Sequence, residues 1–130
     1  METILKQQQN ISFRAVTISD LKSIIRLYEQ KQNIPFSGLN IPFDTDFGLP
    51  LYVAEYDDKI VGYSYVTLDS DEHALHTNIN SKFSDTLINE NLMKETEVIF
   101  KNEWQNNSNK NLSAAISQFV KWLNDSNSQN

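Results

Sequence analysis

Two runs rich in β-branched and aromatic residues, LYVAEY at 51–56 and IVGYSYVTL at 60–68, are separated only by the polar turn DDK. Runs of that composition joined by so short a turn form an antiparallel hairpin. The hairpin commits the chain to a sheet, and its neighbours extend it. Upstream, ISFRAVT at 11–17 alternates, with Ile11, Phe13, Ala15 and Thr17 on one face, and reads as a half-buried strand. Downstream, after DSDE, the stretch HALHTNI adds a third adjacent strand. Gly62 lies inside the second hairpin run, where a glycine weakens a strand unless there is a bulge or another backbone approaches closely.

Helical patterns lie between and after these strands. Ser19, with Asp20 beside it, is a good N-cap, and Leu21, Ile24, Ile25 and Tyr28 follow at helical spacing to about Lys31. The next segment, NIPFSGLNIPFDTDFGLP, holds all three prolines and two of the three glycines, so it is a loop. Its aromatic residues Phe36, Phe43 and Phe47 either line a substrate pocket or pin the loop to the core, and packing is the favoured reading. A helix is predicted from Thr86 to Trp104, with Ile88, Leu92, Thr96 and Ile99 on one stripe. After QNNSNKN, a final amphipathic helix carries Leu112, Ala115, Ile116, Phe119 and Leu123.

A chain of 130 residues that is 39% apolar is the size of one domain with one core. The expected domain spans 11–123, between a disordered N-terminus at 1–10 and a disordered polar tail, NDSNSQN, at 124–130. Seventeen acidic against eleven basic residues give a net charge of −6 with no Lys/Arg run, which argues against a nucleic-acid partner. The chain lacks cysteine, so disulfides, thiolate metal sites and cysteine nucleophiles are excluded. No apolar run approaches membrane-spanning length, and METILKQQQN has no signal-peptide core. A cytoplasmic protein with no membrane partner is expected.

Residues 79–93, INSKFSDTLINENLM, run from a strand end through polar turn residues into a helix. Such corners present free N–H groups and the positive end of a helix dipole, which suits a phosphate. The usual companion is glycine, and this stretch has none.

The order strand, helix, loop, hairpin, strand, helix resembles the front of the GNAT N-acetyltransferase fold. FRAVTISDLKSIIRLYE at 13–29 looks like that family's opening strand and helix, and LYVAEYDDKIVGYSYV at 51–66 like its second and third strands. The latter is especially similar to the phosphinothricin-type acetyltransferases. The resemblance covers about residues 11–93 and implies an α/β (α+β) fold with a mixed, mostly antiparallel sheet flanked by helices. It also implies acetyl-CoA as cosubstrate and a small amine as acceptor. In the family the fourth strand enters a pyrophosphate loop, V-x-P-x-x-R-G-x-G-I-G followed by a Leu pair. Aligned without a gap, Ile79 falls on the Val, Ser81 on the Pro, Ile88 on the Ile, and Leu92 and Met93 on the Leu pair. Ser84 replaces the Arg, while Asp85, Leu87 and Asn89 replace the three glycines.

Glycines let consecutive N–H groups turn toward an anion with no Cβ in the way. Asp85 would set a carboxylate near a diphosphate, and like charges about 5 Å apart repel by roughly 3 kcal/mol at an effective dielectric near 20. Ser84 and Asp85 are also ordinary N-cap residues, and self-capping is the favoured reading of the corner. The family's fifth strand, splayed from the fourth so that the pantetheine arm lies between them, has no counterpart in QNNSNK. Phe119 falls near a tyrosine that often protonates the departing thiolate, and phenylalanine has no proton to give. The resemblance therefore implies a domain shortened after its third helix, closed by a C-terminal amphipathic helix or completed by a homodimer or protein partner. The transferase reading is of impaired catalysis. Its alternative is a non-catalytic ligand-binding or protein-interaction module on the same scaffold.

Glu55 and His76 are the candidate bases for an amine near the expected cleft. Competing readings make Glu55 a solvent-facing strand residue and His76 a hydrogen-bonded one. Tyr63 and Tyr65 share a strand face and join Phe36 and Phe43 as candidate pocket residues, with core packing the alternative. His73 and His76 point to opposite faces of a strand and lack a third ligand at characteristic spacing, so no metal is expected.

Overall fold

The computed structural model describes residues 11–32, 43–69, 72–83, 86–104 and 109–128. Strand β1 (Ile11–Ala15) leads through a 3-10 turn at Ile18–Asp20 into helix α1 (Leu21–Gln32). A second 3-10 turn, Thr45–Phe47, precedes β2 (Leu49–Tyr56), β3 (Lys59–Asp69) and β4 (Glu72–Ile79). A third, Ser81–Phe83, precedes helices α2 (Thr86–Trp104) and α3 (Asn109–Ser128). The four strands form one antiparallel sheet in the order β1-β2-β3-β4, so β1 and β4 are its outer strands. This is the expected α+β architecture, with α3 following α2 where a fifth strand was sought. The expected disordered N-terminus lies outside the described residues.

The hairpin turns on Asp57 and Asp58, whose φ angles of 52° and 64° are those of a two-residue turn that matches strand twist. Gly62 meets the first of the conditions that excuse a strand glycine. Ala54 pairs with Gly62 and Glu55 with Ile60, so Val61 is an extra, bulged residue. A Cβ at Gly62 would also lie 2.6 Å from Cδ1 of Ile79 on the neighbouring strand.

The 3-10 turn that leads into α1 is capped at Thr17 rather than at Ser19. The Asp20 carboxylate accepts from the Thr17 N–H at 2.8 Å and its hydroxyl at 3.0 Å, the reciprocal half of a capping box. Ile24 and Leu27 then pack with Val53, Tyr63 and Phe47 on one side of the sheet. On the other, α2 sets Ile88 and Leu92 against Ala54 and Val61. Thr96 on the same stripe is fully buried, its hydroxyl 2.5 Å from that of Ser64 and 2.6 Å from the Leu92 carbonyl. That pairing satisfies two hydroxyls inside the core.

Helix α3 buries Leu112, Ile116 and Val120 against Val66 and its neighbours, and Leu123 against the α1 layer. It also runs past Leu123, where the sequence reading placed the start of a polar tail. Asn124 holds both backbone groups of Phe43, accepting from its N–H at 2.7 Å and donating to its carbonyl at 2.9 Å. Polar composition alone hides such a clamp, because its partner lies far away in sequence.

Candidate functional site

The last residues of β4 and the C-terminal half of α1 enclose a groove of about 320 Å³, lined by Leu27, Gln30 and Lys31 on the helix and by the stretch from Thr77 to Ser81. Its floor is anchored by Asn78, which is buried and donates from Nδ2 to the Leu27 carbonyl at 3.1 Å. The Tyr63 hydroxyl is fully buried beside Asn78. Burial holds this phenol protonated well above the usual tyrosine range.

The groove wall is a strand edge. Asn80 donates its N–H inward to the Val61 carbonyl at 2.8 Å, so strand alternation turns the peptide groups of Thr77 and Ile79 outward. Lys31 Nζ, 3.5 Å from the Thr77 carbonyl, marks that outward direction. Among the described residues no strand lies against this row. An unpaired edge of this kind accepts an extended ligand that carries its own amides.

At the strand-to-helix corner, Asn80 is the organising residue. Its Oδ1 accepts from the Lys82 N–H at 3.0 Å and its carbonyl from the Phe83 N–H at 2.8 Å. Those two donors are therefore turned inward onto the corner itself. Ser84 and Asp85, expected to cap the helix, lie outside the described residues. The apolar frame of the expected loop is in place: Ile88 and Leu92 are buried, and Ile79 packs at Gly62. Leu87 is 45% exposed at one former glycine position, and Asn89 at another accepts from the Thr77 hydroxyl. Side chains thus occupy positions where the resemblance implied bare backbone.

The two candidate bases are not brought together. Glu55 pairs with Ile60 and His76 with Tyr65, which places them two strand spacings and five residues apart, well over ~10 Å. Glu55 is engaged by Arg14, whose Nη2 donates to it at 3.0 Å. His76 is nearer the groove, adjoining Thr77, with Nε2 2.8 Å from the Thr67 hydroxyl and its ring stacked on Tyr65. Burial, reinforced by the Lys31 charge, pushes its pKa below the usual imidazole value and favours the neutral ring. His73, on the opposite face, packs on Phe100.

Of the expected pocket aromatics, Phe43 packs against Tyr28 and Phe47, Tyr63 is core, and Tyr65 stacks on His76. None of these three lines the groove, and Phe36 lies outside the described residues. Sequence reasoning missed Lys31, Asn78 and Asn80. The Asn80 turn was visible in principle, since Asn before Ser and Lys is a local side-chain-to-backbone turn signal. Lys31 and Asn78 meet only through the fold. A second, apolar depression of about 380 Å³ is lined by Val16, Ile18, Leu49, Pro50, Phe119 and Trp122 among others.

No protein-family model and no curated protein matches the chain. Among solved structures, it is similar to an aminoglycoside acetyltransferase from an uncultured soil metagenomic sample, in its complex with sisomicin. The identity is 18%, the TM-score 0.50, and the match covers 74% of this chain and 73% of that one. A complex of that acetyltransferase with trehalose gives 19%, 0.49, 73% and 72%. The first likeness shows that the chain has a GNAT-like acetyltransferase fold. Among the described residues, no group of three or more His, Asp or Glu is placed to hold a metal, and no helix is long and apolar enough to cross a membrane.

Proposed function

We propose that the groove between α1 and β4 binds the pantetheine arm of an acyl thioester, and that acyl transfer from it to a small amine is slow. One observation carries the reading: the outward peptide groups of Thr77 and Ile79 run along a groove of about 320 Å³, and a pantetheine arm carries two amides that pair with such an edge. The arm fits these residues. The diphosphate of coenzyme A does not fit the corner, where Asn80 engages two donors and Asn89 and Leu87 stand in place of glycine.

A bound thioester supplies an activated acyl carbon. For the acceptor, the acidic chain favours a cationic amine, and His76, the chain neighbour of the groove residue Thr77, is the candidate base. In the tautomer that donates from Nε2 to the Thr67 hydroxyl, the neutral ring would present Nδ1 as the proton acceptor. Glu55, committed to Arg14, has no such freedom. The engaged donors of the corner also favour a second reading, in which the groove binds its ligand without transferring anything.

Calorimetry with S-acetylpantetheine and with acetyl-CoA tests the reading. The two are expected to bind with dissociation constants within about threefold, a difference under 1 kcal/mol, because the nucleotide adds nothing at this corner. Acetyl-CoA binding tenfold or more tightly would contradict the arm-only account, and no heat from either would remove the groove as an acyl-thioester site. Release of free thiol in the presence of an amine separates slow transfer from binding alone.

A further inference from the structure

Side chains alternate across a strand, so His76 and Asn78 share one face of β4. Asn78 reaches the Leu27 carbonyl on α1 from that face. The His76 ring therefore lies on the α1 side as well, next beyond Thr77 at the end of the groove away from the corner. Two contacts from β3 fix it there. Tyr65, its cross-strand partner, stacks on the ring with centres 4.9 Å apart and planes 22° from parallel. Thr67, two residues further along the same strand face, places its hydroxyl 2.8 Å from Nε2. The two nitrogens of an imidazole point in divergent directions, so a ring tied to β3 through Nε2 turns Nδ1 away from β3. On that outer side stands Lys31, which lines the groove 3.5 Å from the Thr77 carbonyl and acts on the ring through its charge.

We propose that Thr67 is a positioning residue of this site: its hydroxyl accepts from the Nε2–H of His76, which fixes the tautomer and leaves Nδ1 bare on the groove side. This rests on the reading of His76 as the base for amine attack on a thioester. The hydrogen bond at one ring nitrogen sets the state of the other. A threonine hydroxyl can donate or accept, and the charge of Lys31 selects between the two. A bare nitrogen turned toward a cation is favoured over an N–H turned toward it. Stacking on Tyr65 restrains rotation of the ring, so the lone pair keeps one direction. In the transfer step the neutral amine bonds to the thioester carbon, Nδ1 takes the proton that the amine sheds, and the carbon–sulfur bond breaks. That proton then goes to the departing thiolate, leaving an amide and a free thiol.

Long-range proton–nitrogen NMR of the histidine rings reads the tautomer in the ligand-free chain. In the wild type the proton of neutral His76 is expected on Nε2 by about ten to one. Thr67→Val keeps the branched shape and removes the hydroxyl, and should lower that ratio to about two to one, while Thr67→Ser should restore it. A proton on Nδ1 in the wild type, or a ratio unchanged in Thr67→Val, overturns the proposal. Thiol release from S-acetylpantetheine with a small amine reads the consequence. Thr67→Val should lower kcat by about tenfold at unchanged KM, because the ring loses its orientation as well as its tautomer, and Thr67→Ser should recover it. A merely structural role would not divide kcat from KM in this way. Equal kcat for wild type and Thr67→Val overturns the Thr67 assignment and leaves the groove reading standing. No thiol release from the wild type removes the transfer reading and this proposal with it.

Discussion

Replacing Gly48 with alanine is expected to lower the unfolding free energy by about 4 kcal/mol, a large share of the roughly 5–15 kcal/mol typical of a domain. Gly48 has φ 77° and ψ −173°, a backbone region open essentially to glycine alone, and a side chain there is disfavoured by about 1–3 kcal/mol. Space is short as well. A Cβ would lie 2.7 Å from the Val66 carbonyl oxygen and 2.8 Å from Cδ2 of Tyr65. The first contact is with strand backbone, which cannot yield cheaply, and overpacking adds about 1–3 kcal/mol. The neighbouring Phe47 is fully buried and packs on Tyr28 of α1, so the strain reaches the helix that forms one wall of the groove. Gly62→Ala is the useful comparison. There the blocking atom is the mobile end of Ile79, and a loss of only about 1–2 kcal/mol is expected. Urea unfolding of the two variants measures both, and a Gly48→Ala loss below that of Gly62→Ala would contradict the argument.

Asp20→Asn is expected to lose about 2–4 kcal/mol at pH 7. Asp20 is 4% exposed and accepts from Arg14 through both oxygens, at 2.7 and 2.8 Å, while also capping Thr17. An amide cannot receive the two-pronged guanidinium, and the part-buried charge-assisted bonds are lost. The Arg14 hydrogen bonds, with help from the Thr17 backbone, hold the Asp20 carboxyl below its ordinary value of 3.8. A folded-state pKa below the unfolded one means that Asp20 contributes fully above about pH 4 and progressively less as the pH falls toward the folded value. The gap between wild type and Asp20→Asn should therefore be constant from pH 7 to about pH 5 and shrink below pH 4. Unfolding titrations at several pH values give the gap directly. A gap that widened on acidification would reverse the sign of the linkage and refute it.

Much of the fold was legible because its signals are local. The DDK turn between two β-rich runs, the period of Ile88, Leu92 and Thr96, and the bulge implied by Gly62 each depend on neighbours along the chain or on one adjacent strand. Helix boundaries were less legible. Ser19 and Thr17 are both good caps, and the choice was made by Asp20, which faces Arg14 on β1. The end of α3 was hidden because Asn124 is polar by composition and structural by virtue of Phe43. The candidate site was legible as a place and not as a set of residues. The strand-to-helix corner at 79–93 stood out, and its lost glycines were countable. Its actual wall depends on Lys31 and Asn78, which approach each other across the packing of α1 on the sheet. Glu55 was chosen for its chemistry, and the guanidinium that occupies it could be found only once β1 was paired with β2.

The central claim is that an acyl-thioester arm lies along the outer edge of β4 against α1. Amide chemical shifts followed by NMR during titration with S-acetylpantetheine test it most directly. The account predicts that perturbations concentrate at Leu27–Lys31 and Thr77–Ser81, with the Thr77 and Ile79 amides among the largest, and leave the depression around Ile18 and Trp122 untouched. Perturbations centred on Ile18 and Trp122, or none at millimolar ligand, would contradict it.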